Sequence, residues 1–321
     1  MIVENHAKGK IFWPNKQRVA VAITFDFQGG EPVRPGPNGK LNNEDYAEGE
    51  YGPKTGIWRI LRMLDEVDVK TTFLTCGGIA ERYPDAMKAI TERGHEVASH
   101  GYHHEIARDL TREEELDCIR RTTDMLLKRT GKRPVGWRTC TQSDNTVELL
   151  MEESYVWNSN SFADDLPYVW ENGRARLVEL PRQPFGDGRL YGHQNRAGDH
   201  PDNALRLWKR FFDDLYKESA LGPMFTTFQL HPYVSSRLGR TSALKEMIEY
   251  MKGHEGVWFA TGIEIADWWL GQNFSEQPAR SVWPRHHRIG QLFFCQTSGR
   301  RARTLCVFRS LQIPRYLESL F

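Results

Sequence analysis

A chain of 321 residues, 39% of them hydrophobic, is long enough to bury a substantial core as one large α/β domain or two smaller ones. Lys and Arg number 43 against 42 Asp and Glu, a formal charge of +1, so there is no electrostatic ground for a nucleic-acid partner or an anionic membrane surface. No apolar run approaches the roughly 20 residues of a membrane span. The polar start, Met1 to Lys10, lacks the apolar core of a secretion signal, and Cys76, Cys118, Cys140, Cys295 and Cys306 contain no C-x-x-C pair. The expected address is therefore cytoplasmic, with reduced thiols and neither a disulfide framework nor a zinc knot.

Arg18 to Phe25 reads as the first strand, an apolar run that closes on Asp26. A Gly/Pro-rich stretch then runs to about Gly52, and a loop of that length is expected to cover or line a site. Apolar residues at Ile57, Ile60, Leu61 and Leu64 predict a helix over Lys54 to Val67. Thr71 to Thr75 is the next strand and ends in Cys76-Gly77-Gly78; a helix follows from Ile79 to Arg93, broken near Pro84 and terminated by Gly94. The stretch G-H-E-V-A-S-H-G-Y-H-H-E, Gly94 to Glu105, predicts a short buried strand that ends at Ser99-His100. His100 and His104, four apart, would share one face over a helical turn, so both imidazoles could converge on one cation. The alternative is a hydrogen-bonded pair without metal.

Thr111-Arg-Glu-Glu114 is a capping box that opens a helix to Thr130, closed by Gly131. Beyond it the pattern gives strands at Val135 to Arg138, Tyr155 to Asn158, Leu177 to Leu180, Met224 to Leu230 and Val257 to Ala260. Helices are predicted at Val147 to Glu153, Asp202 to Glu218 and Ala243 to Met251, with a last one capped at Thr261 and running through Leu270. Strands alternating with helices argue for a parallel α/β fold, and ionisable residues at strand ends (Asp26, His100, His231) argue for the rim of a barrel. We place this domain at residues 1–273. Residues 274–321 form an Arg-rich C-terminal tail, with Glu318 the only acid after Pro284, and are assigned outside it. No dinucleotide or P-loop glycine pattern occurs.

Taken in order, T-F-D-F-Q at Asp26, S-H-G-Y-H-H at His100 and His104, G-W-R-T-C-T at Arg138 and Q-L-H-P at His231 resemble the motifs of the polysaccharide deacetylase family, the NodB homology domain. The resemblance covers nearly all of Arg18 to Leu270. Phrases such as G-E-Y-G-P-K-T-G-I and F-A-D-D-L-P-Y are most similar to the branch that holds cyclic-imide hydrolases, metal-free allantoinases and some peptidoglycan deacetylases. It implies a single-domain, distorted (β/α)7-type barrel. It also implies a hydrolase of non-peptide carbon–nitrogen bonds, a deacetylase or a cyclic amide or imide hydrolase, acting on a glycan or small molecule as a homo-oligomer.

By the same resemblance Asp26 is the general base, His231 the general acid and Arg138 the residue that orients the base. His100 and His104 would hold a divalent metal, usually zinc, and the backbone N–H of Thr141 would steady the oxyanion. The chemistry is coherent, because a carboxylate can take a proton from metal-bound water, whose pKa falls to about 7 on zinc, and a protonated imidazole can supply the departing nitrogen. Arg138 beside Asp26 would keep the carboxylate ionised. The departure is Gln28, a neutral amide where the family has a second, metal-binding aspartate. Three readings follow: Asp26 itself binds the metal, Glu31 supplies the missing carboxylate, or the enzyme is metal-free, since F-D-F-Q-G-G-E also resembles N-Y-E-E-G-G-E of the metal-free allantoinases. Cys76 and Cys140 stand where the family commonly has proline and are expected either to face the pocket or to fill space. Of the pair Asp164 and Asp165, Asp165 is the expected substrate contact. A catalytically inactive module binding glycans or small rings is the rival class, and the presence of both Asp26 and His231 speaks against it.

Overall fold

The structure is a computed structural model that describes residues 12–192 and 200–272. All the described residues fall within one compact unit. The tail assigned from residue 274 lies outside the described residues.

The described residues form a nine-stranded mixed sheet, curled into a half-barrel with helices packed on it, in the manner of a distorted (β/α) barrel. In chain order the strands are β1 (Val19–Phe27), β2 (Thr72–Thr75), β3 (Glu96–Ser99), β4 (Gly136–Trp137), β5 (Trp157–Asn158), β6 (Tyr168–Glu171), β7 (Arg176–Glu179), β8 (Met224–Leu230) and β9 (Val257–Phe259). They are ordered β6-β7-β5-β4-β3-β2-β1-β8, and β9 pairs with β1. Every pairing is parallel except β6 with β7. β1 registers with β8 along one edge, while its other edge is shared, β9 taking Val19–Val21 and β2 taking Thr24–Phe27.

All nine residues of β1 are buried, which is why its sequence reads as a continuous apolar run. Its two faces nevertheless differ. Val19, Val21, Ile23, Phe25 and Phe27 join the large cluster with Ile60, Leu64, Trp208, Phe212 and Met247 from the flanking helices. Ala20 and Ala22 face the other way, into a cluster with Trp13, Leu74, Ala98, Trp157, Phe225 and Trp269. Small residues on this face leave room for the indoles opposite. With a period of two, Thr24 and Asp26 continue the Ala20–Ala22 face, so the carboxylate stands at the top of the sheet's concave interior.

Two elements depart from the expected pattern. The stretch from Gln28 to Gly52 is not all loop, because Asn42 caps a helix at Asn43–Tyr51 that continues through a π-turn at Gly52–Gly56 into the helix Ile57–Val67. Its sequence, N-E-D-Y-A-E-G-E-Y, is polar on all sides and carries no apolar period to find. The strand β6 was not expected either; it folds back on β7 around Asn172, whose side chain accepts from the Arg174 and Ala175 amides. Pro84 does divide its predicted helix, into Gly77–Arg82 and Pro84–Glu92.

The interior is tightest where β4 crosses β5. A Cβ on Gly136 would lie 2.0 Å from the indole of Trp157, which is fully buried and donates through Nε1 to Glu96 at 3.0 Å. Gly136→Ala should therefore lower stability by about 1–3 kcal/mol, the usual cost of overpacking a full core. Urea unfolding checks this; an unchanged midpoint would mean that Trp157 is free to move.

Candidate active site

The parallel strands deliver the predicted groups to one end of the sheet. Asp26 lies near the C-terminal end of β1, and His100, Arg138 and His231 each follow the last residue of β3, β4 and β8. All four are at most 5% exposed.

Asp26 is held on both oxygens. Oδ1 meets Arg138 Nη1 at 2.7 Å, and Oδ2 accepts from Gln229 Nε2 at 2.6 Å. Arg138 is fixed in turn by Thr24 Oγ1 (2.9 Å), the Ser159 carbonyl (3.2 Å) and Ser159 Oγ (2.9 Å). Burial acts to raise the Asp26 pKa, but the charges of Arg138, His100 and His231 outweigh it and hold the carboxyl well below the usual carboxylate range.

His231 is set the opposite way. Its Nδ1 lies 2.7 Å from Asp187 Oδ1, and its backbone N–H donates to Oδ2 at 2.7 Å, while Ser235 Oγ donates to the same oxygen at 2.6 Å. Burial acts to lower the imidazole pKa, yet the Asp187 carboxylate outweighs it and the net direction is upward. His231 Nε2 stands 3.9 Å from Asp26 Oδ2.

His100 and His104 do converge, with ring centroids 4.9 Å apart at 64°. They do so without the helical turn expected of the i, i+4 spacing. The chain after β3 is a loop that reverses through Gly101 at φ 74° and His104 at φ 55°. The His104 carbonyl is tied down by Arg34 at 2.7 Å. His100 Nδ1 donates to the Arg138 carbonyl at 2.8 Å, which turns Nε2 toward Gln28 Oε1 (3.2 Å) and Asp26 Oδ2 (4.0 Å). Burial pushes both imidazole pKa values down, so both rings are neutral at neutral pH.

These groups open on a cavity of about 640 Å³. Asp26, Gln28, His100, His104, Cys140 and His231 line it on one side, with Phe162, Arg182, Arg189 and Tyr233 among the other lining residues. Glu31, Thr141 and Asp165 are not in the lining. Glu31 is committed to Arg82 (2.6 Å) and His103 (2.7 Å), and Asp165 accepts from Gln183 at 3.1 Å. Cys76 is fully buried beneath the site, its thiol donating to the His100 carbonyl at 3.2 Å, and burial raises its pKa far out of the thiolate range. Burial likewise raises the Cys140 thiol.

Among the described residues, no three His, Cys, Asp or Glu side chains are grouped to hold a metal ion. Asp26 is hydrogen-bonded to Arg138 and Gln229, position 28 offers a neutral amide, and Glu31 is tied elsewhere. Two imidazoles alone fall short of the three protein ligands that a catalytic zinc requires. The donor set present therefore does not fit zinc.

Four further residues shape the site and were not singled out from the sequence. Asp187 and Gln229 hold His231 and Asp26, Arg182 donates to Gln229 Oε1 at 3.0 Å, and the Tyr233 hydroxyl is hydrogen-bonded to Gln28. A signal existed for Gln229, two residues before His231 and so on the same strand face. For Asp187 the only trace was an acid between two glycines, and a Cβ on Gly186 would come within 2.7 Å of the Gln229 carbonyl.

A mostly parallel half-barrel that gathers buried ionisable groups at the C-terminal end of its strands fits a hydrolase of carbon–nitrogen bonds other than peptide bonds. The comparisons place it more narrowly. The polysaccharide deacetylase family model matches residues 49–152. A peptidoglycan deacetylase of Helicobacter pylori is 27% identical over 270 residues, covering 73% of this chain and 90% of the relative. Puue allantoinase is 30% identical with a TM-score of 0.75, covering 81% of this chain and 93% of that one. A probable polysaccharide deacetylase from Pseudomonas aeruginosa PAO1 is 26% identical with a TM-score of 0.76, over 81% and 94% of the two chains. The chain belongs to the polysaccharide deacetylase family.

Two measurements test this geometry. Asp187→Asn removes the charge that raises His231, so the imidazole should titrate at lower pH in the variant, as read by NMR of the ring protons; an unmoved midpoint would mean the carboxylate is not the cause. Gln28→Asp puts a carboxylate beside His100 and should increase divalent-metal uptake, measured by elemental analysis after zinc loading and gel filtration. Equal metal content in the two proteins would show that position 28 does not face an ion.

Proposed function

We propose that the cleft hydrolyses an amide or imide carbon–nitrogen bond, with Asp26 as general base and His231 as general acid. One observation carries the reading. Two ionisable groups 3.9 Å apart are driven to opposite charge states by separate dedicated partners, Arg138 for the carboxylate and Asp187 for the imidazole. That gap is too long for a direct hydrogen bond and suits one water in reach of both.

In the proposed step a water O–H gives its proton to Asp26 Oδ2 while its oxygen bonds to the carbonyl carbon. The carbon–nitrogen bond then breaks, and the nitrogen leaves with the proton from His231 Nε2. Arg138 keeps Asp26 ionised but also weakens it as a base, so positioning and charge stabilisation must supply much of the rate. The Thr141 N–H is the proposed oxyanion donor, one residue beyond the cavity-lining Cys140. No step is routed through a metal, because the donor set does not fit one. His100 and His104 then serve as neutral polar walls that orient the substrate.

The relatives are named for peptidoglycan deacetylation and for allantoinase activity, so the substrate class comprises N-acetyl glycans and cyclic amides or imides. Gln28 and the missing third ligand favour the ring substrates, in line with the resemblance to metal-free allantoinases. The free thiols Cys76, Cys118 and Cys140 fit a reducing compartment such as the cytoplasm. Among the described residues no helix is long and apolar enough to cross a membrane. A homo-oligomer is the expected assembly by family resemblance, to be read by light scattering.

Asp26→Asn and His231→Ala should each reduce kcat by about 10² to 10⁴ while leaving the fold intact by circular dichroism, the usual contribution of one acid or base. The substrates to assay are allantoin, cyclic imides and N-acetyl sugars. Loss of His231 should abolish the alkaline limb of the rate profile, since its protonated form is used up as pH rises through its elevated pKa. If neither variant slowed hydrolysis of a substrate that the wild type accepts, the acid–base assignment would fall; if the wild type bound these compounds without hydrolysing any, the binding-module reading would replace it.

A further inference from the structure

Among the described residues, the positive charges that line the cleft outnumber their carboxylate partners. Asp26 is paired with Arg138 and His231 with Asp187, so the acid and base are each compensated. Arg182 and Arg189 also line the cavity, and among the described residues neither has a carboxylate within ion-pair distance. Some guanidiniums elsewhere are matched, Arg82 with Glu31 and Glu50, and Arg112 with Glu152, while others, such as Arg34 and Arg59, bond to carbonyls instead; what marks Arg182 and Arg189 is that they line the cavity.

Arg182 is also short of acceptors. A guanidinium carries five N–H donors. Two are used, on Gln229 Oε1 (3.0 Å) and the Asn160 carbonyl (3.1 Å), and its Nε is buried without a partner. A donor left buried and unmade is costly, and is tolerable where a ligand supplies the acceptor. Both guanidiniums lie over the ring of Phe162, Arg182 at 4.5 Å and Arg189 at 5.6 Å from its centroid, so one aromatic ring holds two cations. Phe162 itself is 49% exposed. Burial and the nearby Arg138 pull Arg182 down to about 10, which leaves it charged at neutral pH.

We propose that Arg182 and Arg189, steadied on Phe162, bind a carboxylate of the substrate, so that the cleft selects amides or imides bearing an anionic carboxylate close to the scissile bond. This deepens the hydrolase reading above and rests on it. Planar bidentate recognition of a carboxylate is the interaction for which guanidinium is best suited. Because Arg182 reaches Asp26 through Gln229, the anchored carboxylate would sit one amide side chain away from the base.

The test compares hippurate, an N-acylated glycine with a free carboxylate, with its neutral carboxamide, by ligand-observed NMR titration of the whole chain. Binding is measured apart from turnover, so failure here is distinguishable from failure of the hydrolase assignment, which is read by the substrate assays. Hippurate should bind at least tenfold tighter than the carboxamide, and the preference should weaken as salt is raised. Arg189→Gln, at an exposed position, should remove most of the preference without altering affinity for the carboxamide. Arg182→Lys, which keeps the charge but loses the fork, should lie between the two. Equal binding of both probes to the wild type would overturn the proposal, as would an Arg189→Gln variant that weakens both probes equally.

Discussion

A carboxylate and a guanidinium, each no more than 1% exposed, face each other across the interior of the sheet, and the site is built on that contact. Removing two such charges from water costs several kcal/mol per ion, so the pair is tolerable only when every remaining donor and acceptor is met. Thr24, Ser159 and Gln229 meet them. Arg138 does more than balance Asp26, since its own carbonyl accepts from His100 Nδ1 and thereby turns that ring into the cavity. One residue after a two-residue strand thus positions both the carboxylate and an imidazole.

The same device recurs around the rim, where buried carboxylates brace the loops. Glu179 collects the amides of Asn160 and Ser161 together with Asn158 Nδ2 and Trp170 Nε1, fixing the chain as it leaves β5. Glu50 gathers the Gly30 amide, Arg82 and Tyr83, and so anchors the loop that follows Asp26. Each acid is surrounded by donors, and the loops that frame the cavity are held to the scaffold by charge-assisted bonds rather than by apolar contact. A rim built in this way can present polar side chains to a substrate while the core below stays dry.

The opposed charge states of Asp26 and His231 come from their neighbours, not from their own burial, which acts against both. Each charge is favoured by a partner that does not line the cavity: Arg138 lies behind Asp26, and Asp187 lies behind His231. This leaves the reacting faces open to a substrate. It also explains why Gln28 can sit beside His100 without disturbing the pair, since a neutral amide adds no charge to a balanced group.

Strand-ending ionisable groups, apolar periods and capping boxes are local properties, and from them the sequence determined the alternation of strands and helices and the gathering of Asp26, His100, Arg138 and His231 at one end of parallel strands. It also exposed the missing second aspartate at position 28, because a motif shows a substitution as plainly as a match. What it could not determine were contacts made across the fold. Asp187 is 44 residues from His231, and Gln229 is 203 from Asp26. No local pattern records such distances. The polar helix after Asn42 was hidden because its residues carry no apolar period, and the hairpin strand β6 because Tyr168–Glu171 is only four residues long, its place being set by pairing with β7. Only the tertiary structure decided that Glu31 turns away to Arg82 and His103, that His100 and His104 converge through a left-handed loop rather than a helical turn, and that two cavity-lining arginines meet on the ring of Phe162. Side-chain direction and charge pairing depend on which neighbours the folded chain supplies, and those neighbours are distant in sequence.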